Sequence, residues 1–559
     1  MAPVMDYLGH ALDAIPKAAL CAIAPFAAVA SILLLVNLYT KWQYYQTLRQ
    51  FTDGPTTSKQ QLVESPQIPY TLPVLGNTLS FLAPKPGHYW NQLFSWHPRS
   101  TGICTLLLGG RKTHILMSYL FDPSTSRNGN PSPSAVQALF KAKSPSRDVF
   151  ERELFRKVFQ LPEDQIHNAE AGKHHEIEMN SKYLTNHERV NELTAEFSEV
   201  LEEVLDQDSQ EIVQLEEIGL YQWLRNRMFT ASTRALMGDE LLRMYPAYCE
   251  DFFGFDSDLL SFFFQLPKFM MGEAFSRRRR LLDELERWSK KMHELSGGTP
   301  VDPEGPSWEP LLGSRLNRAR QLDYKTRNLN TRTGAALDLG LTFGLSSNAD
   351  PSILARVMKE LREAEKTDGS LDIAVLVSQP LLQSLWTETL RLYTDVLVTR
   401  NLSEDLTLPL DEDGRRYVRL RKGDNVFAPS WLGHHDAAAW SSPGKPADSD
   451  FYAERFVVKD AKTGRESFST AGTAGKFFPF GGGKTVCPGR IFAKQEGLGA
   501  LAMVLLRFDF EVLGFVDAKK NPTKTFPGYA RAFAGSGAVV PGGDVRVKIR
   551  KRAARQETS

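Results

Sequence analysis

The sequence has few cysteines, almost no net charge and no zinc-binding histidine motif. Four cysteines in 559 residues are too few for a disulfide framework, and none of them pairs at C-x-x-C spacing. The eleven histidines form no H-E-x-x-H motif, so a structural or hydrolytic zinc site has little support. A net charge of +1 lacks the positive excess that nucleic-acid binding requires. This composition suits a reducing compartment, and it leaves Cys487 to be explained by itself.

A long apolar run lies close to the N-terminus, after a tail at residues 1–17. Residues 18–39 carry no charged side chain over about 22 positions, enough for a helix to cross a hydrocarbon layer roughly 30 Å thick. A cleaved signal peptide is the alternative, but Asp6 and Asp13 precede the run where such a peptide is normally basic. Basic residues follow the run, so the positive-inside rule predicts a cytosolic location for the rest of the chain.

The remaining sequence divides into a connector and one large body. Residues 40–73 include three prolines between positions 66 and 73, which predict a stiff extended connector, although an ordinary proline-rich linker gives the same pattern. Residues 74–552 show helical apolar periodicity in their central part, a strand-like alternation near their end and no internal repeat. We therefore expect one mainly helical domain, followed by a short tail at residues 553–559.

The segment around Cys487 reads FFPFGGGKTVCPGRIFAKQEG. Glycines 481–483 allow backbone conformations and close approaches that side chains forbid, which suits a loop pressed against a flat ligand. Pro488 fits the first position of the helix that follows, and Cys487 would then lie at a helix N-terminus, where free N–H groups and the dipole stabilise a thiolate. The alternative is that Cys487 is one more buried small apolar residue. A thiolate in this setting can bind iron.

The stretch FGGGKTVCPG resembles the haem-binding signature of the cytochrome P-450 superfamily, with Phe480, Gly483, Cys487 and Gly489 at the intervals of that family. The resemblance implies heme b as the cofactor and Cys487 as its axial iron ligand. It also implies a fold that is mainly α with a minor β region. Thr485 stands where the family usually has arginine or histidine, so a haem-propionate contact from that position is in question.

Two further motifs of the same family occur in the expected order. LLQSLWTETLRLY supplies the E-x-x-R pair as Glu388 and Arg391, which share a helix face. FYAERF resembles the family's P-E-R-F segment, with Ala453 in place of proline, and its Arg455 would complete a Glu–Arg–Arg cluster that supports the haem loop. Arg400 matches a position from which the family commonly contacts a haem propionate. An isolated E-x-x-R pair would mean little, since most such pairs are exposed and contribute under about 1 kcal/mol.

The oxygen-side helix departs from the family's usual pattern. In TGAALDLGLTFGLSSNADPSILARVMKEL, Ser347 and Asn348 stand where an acidic residue and a threonine are usual. By the resemblance, Gly344 would leave room above the iron and Asn348 would contact the bound oxygen species. Pro351 either opens this helix or ends it and begins another. The arrangement resembles the branch that includes sterol 7α- and 12α-hydroxylases, prostacyclin synthase and many fungal enzymes of specialised metabolism.

The resemblance implies a monooxygenase that takes electrons from NADPH through a reductase and oxidises a lipophilic small molecule such as a terpenoid, sterol or polyketide. A single-pass location in the endoplasmic reticulum membrane, with the catalytic domain in the cytosol, follows from the anchor. Two alternatives remain: a reductase-independent isomerase or dehydratase of lipid peroxides, and a non-catalytic haem- or lipid-binding membrane protein. The phenylalanine-rich segment near Phe262 would form the roof of the substrate channel or part of the core, and the basic run 277–280 a solvated helix face.

Overall fold

A long helix, α1 (Lys17–Thr52), begins the described part of the computed structural model. It continues beyond Tyr39, so the predicted connector begins inside a helix. Residues 24–51 are long and apolar enough to cross a membrane, and little of that stretch is buried against the body. The described residues are 17–52, 61–82, 89–98, 101–117, 135–211, 217–297, 301–341, 354–410, 416–441, 449–530, 534–535 and 537–552.

The C-terminal part of α1 is packed against the body of the protein. Thr40 and Tyr44 are buried. The hydroxyl of Thr40 donates to the carbonyl oxygen of Tyr70 (3.0 Å), and the hydroxyl of Tyr44 lies 2.9 Å from Nδ1 of His97. Burial lowers the pKa of His97 to about 4, so its ring is neutral near neutral pH. The body is therefore attached directly to the C-terminal end of α1.

The body is mainly helical, as predicted, because apolar residues at helical spacing bury one face of each long helix. Its helices are α2 (Thr78–Leu82), α3 (Tyr89–Leu93), α4 (Ala135–Lys141), α5 (Asp148–Lys157), α6 (Ile166–Ala171), α7 (Lys173–Asn180), α8 (His187–Glu211), α9 (Leu220–Met237), α10 (Glu240–Met244), α11 (Tyr248–Phe263), α12 (Gly272–Leu295), α13 (Arg315–Thr326), α14 (Thr331–Leu341), α15 (Leu354–Glu363), α16 (Ile373–Leu376), α17 (Pro380–Tyr393), α18 (Ser430–His434), α19 (Ala437–Trp440) and α20 (Arg490–Arg507).

The strands form the minor β region that the sequence predicts. They are β1 (Gln61–Val63), β2 (Ile103–Leu108), β3 (Arg111–Leu116), β4 (Pro145–Ser146), β5 (Ile218–Gly219), β6 (Trp308–Glu309), β7 (Gly313–Ser314), β8 (Thr394–Asp395), β9 (Leu397–Leu402), β10 (Leu406–Pro409), β11 (Arg416–Leu420), β12 (Asn425–Pro429), β13 (Val457–Lys459), β14 (Glu466–Phe468), β15 (Phe508–Asp517), β16 (Pro522–Thr523), β17 (Gly537–Ala538) and β18 (Gly543–Lys551). The largest sheet has the order β2-β3-β12-β9-β4.

Three apolar clusters of the core pack the helices and strands of the body together. Helices α8, α9, α12, α14 and α20 bury the largest apolar cluster, with Trp288 at no exposure to solvent. A second cluster unites α17 with α15 and α20, and a third lies under β9, β11, β12 and α4. Strand β9 follows α17 after the two-residue strand β8, and α20 follows the cysteine loop. The fold thereby brings Arg400 against that loop.

Candidate cofactor and active site

The segment before α20 is a tight loop that presents Cys487. The N–H of Gly481 donates to the carbonyl oxygen of Phe478 (3.0 Å), and the N–H of Cys487 donates to that of Phe480 (2.9 Å). Gly481 and Gly483 adopt φ values of 76° and 67°, which L-residues with side chains rarely adopt. The loop leaves the Cys487 side chain exposed, so its sulfur is accessible to a ligand.

At Gly482, a glycine is required by close packing against a neighbouring helix. A Cβ atom on Gly482 would overlap the ring of Phe140, the penultimate residue of α4, and a Cβ atom on Gly483 would lie 2.9 Å from the Phe140 carbonyl oxygen. The predicted close approach is therefore an approach to α4. This contact fixes the back of the loop, and the open side remains available to a flat ligand.

The helix after the loop begins later than predicted. Arg490 is the first residue of α20 and Gly489 is its N-cap, so Pro488 precedes the helix and does not occupy its first turn. Although the Cys487 sulfur is accessible from solvent, the protein atoms packed around it desolvate the thiol and raise its pKa. The backbone N–H groups of Gly489 and Arg490 and the guanidinium groups of Arg490 and Arg147 lower it. The N–H groups act in the predicted direction but do not outweigh burial. A metal ion bonded to the sulfur would supply the remaining stabilisation of the thiolate.

The predicted Glu–Arg–Arg cluster forms and is buried. Nε and Nη2 of Arg391 donate to the two carboxylate oxygens of Glu388 at 2.7 and 2.8 Å, and Nε of Arg455 donates to Oε1 at 2.9 Å. Glu388 and Arg391 have no exposed surface. The main-chain N–H of Tyr452 adds a fourth donor to the carboxylate (3.1 Å). Removal of one partner would leave a buried charge uncompensated, so the fold behind the loop tolerates such a substitution far less than it tolerates the loss of a surface pair.

Arg400 of β9 reaches the cysteine loop from the other side. Its Nη2 donates to the carbonyl oxygen of Gly482 (3.0 Å) and to Oγ1 of Thr485 (2.9 Å). Thr485 is thus a hydrogen-bond partner of Arg400. Within the described residues Arg400 has no carboxylate within 4.0 Å, although its side chain is buried. Burial and, after it, Arg147 lower the pKa of Arg400.

Arg147 is a site residue that the sequence analysis missed. Strand β4 pairs with β9 in the register Pro145↔Leu402 and Ser146↔Asn401, which places the next residue, Arg147, beside Arg400. Like charges on adjacent strands are destabilising by themselves. Arg147 is paired with Glu151 (3.2 Å) and follows a two-residue strand, so no sequence motif marks it. Two cations beside an accessible thiol fit haem, which brings carboxylates and an iron that a thiolate can bind.

The oxygen-side motif lies between two described segments, which end at residue 341 and resume at residue 354. Gly344, Ser347, Asn348 and Pro351 lie outside them, and their roles stay predictions. The preceding helix α14 is fixed by Asp338, which accepts hydrogen bonds from the Tyr324 hydroxyl (2.8 Å) and from Nε2 of Gln321 (3.0 Å). Arg320 donates to the same carboxylate (3.2 Å). The polar cluster sets the direction in which α14 enters the undescribed stretch.

The phenylalanine-rich segment divides between core and surface. Phe255 and Phe262 of α11 are buried, whereas Phe269 is 88% and Met270 64% exposed in the connection to α12. The basic run is not uniformly solvated, because Arg278 is buried. Its Nη1 donates to the carbonyl oxygen of Lys157 (2.8 Å) at the end of α5, and its guanidinium lies over the ring of Phe262. This arginine ties α12 to α5.

Comparisons with known proteins agree with this geometry. The family model described as Cytochrome P450 matches residues 345–531. The chain is 26% identical to cytochrome P450 monooxygenase calL of Penicillium decumbens, over 86% of this chain and 91% of that protein. It is also 26% identical to cytochrome P450 monooxygenase efuG of Hormonema carpetanum, over 94% and 96%. The fold is similar to retinoic acid-bound cyanobacterial CYP120A1, with a TM-score of 0.57 and 18% identity, covering 88% of this chain and 100% of that one.

Proposed function

We propose that this chain, a member of the cytochrome P450 superfamily and a P450 monooxygenase, inserts one oxygen atom from O2 into a lipophilic small molecule of specialised metabolism. The observation that carries the proposal is the accessible Cys487 thiol on a loop that is braced by Arg400. The two fungal monooxygenases that align over most of the chain support the assignment to specialised metabolism. A terpenoid, sterol or polyketide fits this class.

Four residues of this chain would hold the cofactor. Cys487 would bind the iron, Arg400 and Arg147 would bind the haem carboxylates, and Gly483 would keep the loop close to the flat ring. When bound, haem supplies the oxidising chemistry, and a thiolate ligand favours cleavage of the O–O bond. The protein contributes position and the exclusion of water. Within this division, the Glu388 cluster supports the loop and takes no part in the chemistry.

The oxygen-side residues complete the proposal. Gly344 would leave space over the ring, and Ser347 and Asn348 would face the oxygen species. An amide such as Asn348 both donates and accepts hydrogen bonds but is no carboxylic proton source. Proton delivery would then depend on water that these two polar side chains orient.

An NADPH-dependent reductase would supply the electrons. Lys141, Lys143 and Lys484 are exposed on α4, the segment after it and the cysteine loop, which meet at the Gly482–Phe140 contact. Arg490 adds a fourth cation at the start of α20. A basic rim of this kind attracts an acidic partner surface at long range.

The anchor and the roof support a location at the endoplasmic reticulum membrane with the body in the cytosol. Tyr44 of α1 belongs to the same apolar cluster as Phe81 of α2 and Phe264 after α11, and the rings of Phe81 and Phe264 are 6.1 Å apart. The exposed side chains of Phe269 and Met270 follow within a few residues. The roof therefore lies near the end of the anchor, where a lipophilic substrate could enter from the bilayer.

A carbon monoxide difference spectrum of the reduced full-length protein tests the proposal. We expect the red-shifted Soret band of a thiolate-ligated ferrous haem and its loss in Cys487→Ser, with Cys249→Ser as the matched control that keeps it. Oxygen-dependent product formation with NADPH and a reductase should then follow. Turnover of a lipid peroxide without NADPH, or haem-loaded wild type that lacks the band, would contradict the monooxygenase.

A further inference from the structure

His434, the last residue of α18, lies between the buried Glu388 cluster and the chain that leads into the cysteine loop. It is completely buried. Its main-chain carbonyl accepts a hydrogen bond from Nη1 of Arg391 (2.8 Å). On its other side, ring Nε2 lies 3.1 Å from the main-chain nitrogen of Phe478. This one residue therefore contacts both the cluster and the start of the loop.

The hydrogen bonds around the ring determine its protonation. The N–H of Phe478 can only donate, so Nε2 accepts and carries no proton. The proton of the neutral ring is then on Nδ1, which faces Oγ1 of Thr394 at 3.3 Å. That hydroxyl donates to the carbonyl oxygen of Leu390 (2.6 Å) and is able to accept from Nδ1. Burial is the main cause that lowers the pKa of His434 well below its ordinary value, so the neutral form persists near neutral pH.

His434 gives the cluster a path to the loop. The hydrogen bonds described for Glu388 and its two arginines reach main-chain groups at positions 434, 440, 450 and 452, all before the glycines. Phe478 is the first loop residue on the path, because its carbonyl oxygen accepts from the N–H of Gly481. The ring of His434 also packs on Phe477, with centroids 5.1 Å apart. A change in its orientation is transmitted to the first turn of the loop.

We propose that His434 is a positioning residue for the iron ligand: through Nε2 it holds Phe478, and hence the loop that presents Cys487, in register with the Glu388 cluster. The proposal rests on the proposed function, since it concerns how that ligand is held. Loss of the Nε2 acceptor leaves a buried N–H without a partner, which costs at least as much as one hydrogen bond contributes. The loop then moves away from the geometry in which the sulfur remains bound as a thiolate.

Two polar substitutions of similar size separate this role from simple packing. In His434→Gln the amide oxygen reaches about as far as Nε2 and is able to accept from the Phe478 N–H. In His434→Asn the side chain ends near the position of Nδ1, and the N–H loses its partner. His435→Gln is the matched control, because the neighbouring ring stacks on Trp431.

The measurement is the ratio of thiol-ligated to thiolate-ligated haem in the reduced, carbon monoxide-bound full-length protein, scaled to haem content. We expect His434→Asn to raise this ratio roughly threefold to tenfold, the range of one neutral hydrogen bond. His434→Gln and His435→Gln should stay within about twofold of wild type, since both keep an acceptor at Phe478. Equal ratios in the Asn, Gln and wild-type proteins would overturn the proposal, and so would an equal rise in Asn and Gln.

A second variant keeps the test decisive if His434→Asn does not fold. Thr394→Val removes the acceptor of the Nδ1 proton and lets the ring turn while Nε2 is retained, so we expect a rise of about twofold, and none would count against the role. A wild-type protein without the red-shifted band would defeat the proposed function itself. A normal wild-type band with insensitive variants would defeat only the role of His434.

Discussion

The two sides of the candidate site are built differently. Behind Cys487, charged side chains are buried and paired, and the loop is held by Arg400 and by the ring of Phe140. At the proposed roof, between α11 and α12, large apolar side chains such as Phe269 and Met270 are exposed. The first region has one arrangement in which its hydrogen bonds are satisfied, whereas exposed aromatic and methionine side chains adapt to many partners.

The difference separates what holds the cofactor from what selects the substrate. Cofactor geometry depends on buried polar groups, so a single substitution there has a large cost. Substrate contacts would depend on apolar side chains, and substituting any one of them costs little stability. One fold can therefore serve different substrates. Substitutions on the two sides should therefore differ in both the size and the kind of their effects.

The largest expected effect is at the Glu388 cluster. Arg391→Leu removes two of the donors to a carboxylate that has no exposure, and the remaining buried charge should destabilise the fold by about 3–5 kcal/mol. We expect little haem-loaded protein at physiological temperature and a markedly lower urea midpoint. Arg419→Leu is the control, because its pair with Asp405 is exposed and should contribute under about 1 kcal/mol. Equal effects of the two substitutions would show that the buried cluster and the exposed pair matter equally for stability.

The next effect depends on pH and comes from Glu496 of α20. Burial raises the pKa of this carboxyl group to about 8, and the Ser232 hydroxyl is its hydrogen-bond partner. The folded protein therefore keeps a proton that the unfolded chain releases above about pH 4.5, so stability falls as pH rises from there towards 8, by at most about 1.4 kcal/mol per pH unit.

Glu496→Gln should remove this slope. The measurement is the free energy of unfolding in urea for wild type and variant from pH 5 to 8, in the same detergent. The difference between the two curves should widen with pH in favour of glutamine, because other titrating groups cancel in the comparison. Glu511→Gln, an exposed pair partner of Arg550, should leave the curves parallel. Parallel curves for Glu496→Gln would show that this carboxyl group is ionised in the folded protein.

A smaller effect is expected at Arg147. Arg147→Met should speed the loss of haem to apomyoglobin by roughly tenfold to a hundredfold, since hydrogen bonds to charged groups contribute about 1.5–3 kcal/mol. Apoprotein stability should change little or rise, because a like charge beside Arg400 is removed. Arg147→Lys should retain part of the binding as a point charge. An unchanged rate of haem loss in Arg147→Met would show that Arg147 does not bind a haem carboxylate and that Arg400 acts without it.

The resemblance of short motifs to the cytochrome P-450 family predicts the cysteine loop, the Glu–Arg–Arg cluster and Arg400, although Glu388 and Arg455 are 67 residues apart in the sequence. Arg147 and His434 were not predicted. Each acts through a long-range register: β4 on β9 for the first, and the end of α18 against Phe478 for the second. Arg278 was interpreted as a solvated residue because a run of four arginines does not reveal which one faces inward. Side-chain direction at such positions is set by tertiary packing.

The smallest expected effect is at the roof. Met270→Cys changes an exposed side chain and should alter the free energy of unfolding by no more than about 0.5 kcal/mol. If the roof contacts lipid, the new thiol should react with a water-soluble maleimide several-fold more slowly in phospholipid vesicles than in detergent. Val458→Cys on β13, exposed and outside the apolar cluster that Tyr44 joins, is the control that should react equally in both. Equal labelling of both thiols in vesicles would place the roof in water, and the substrate would then enter from the aqueous side.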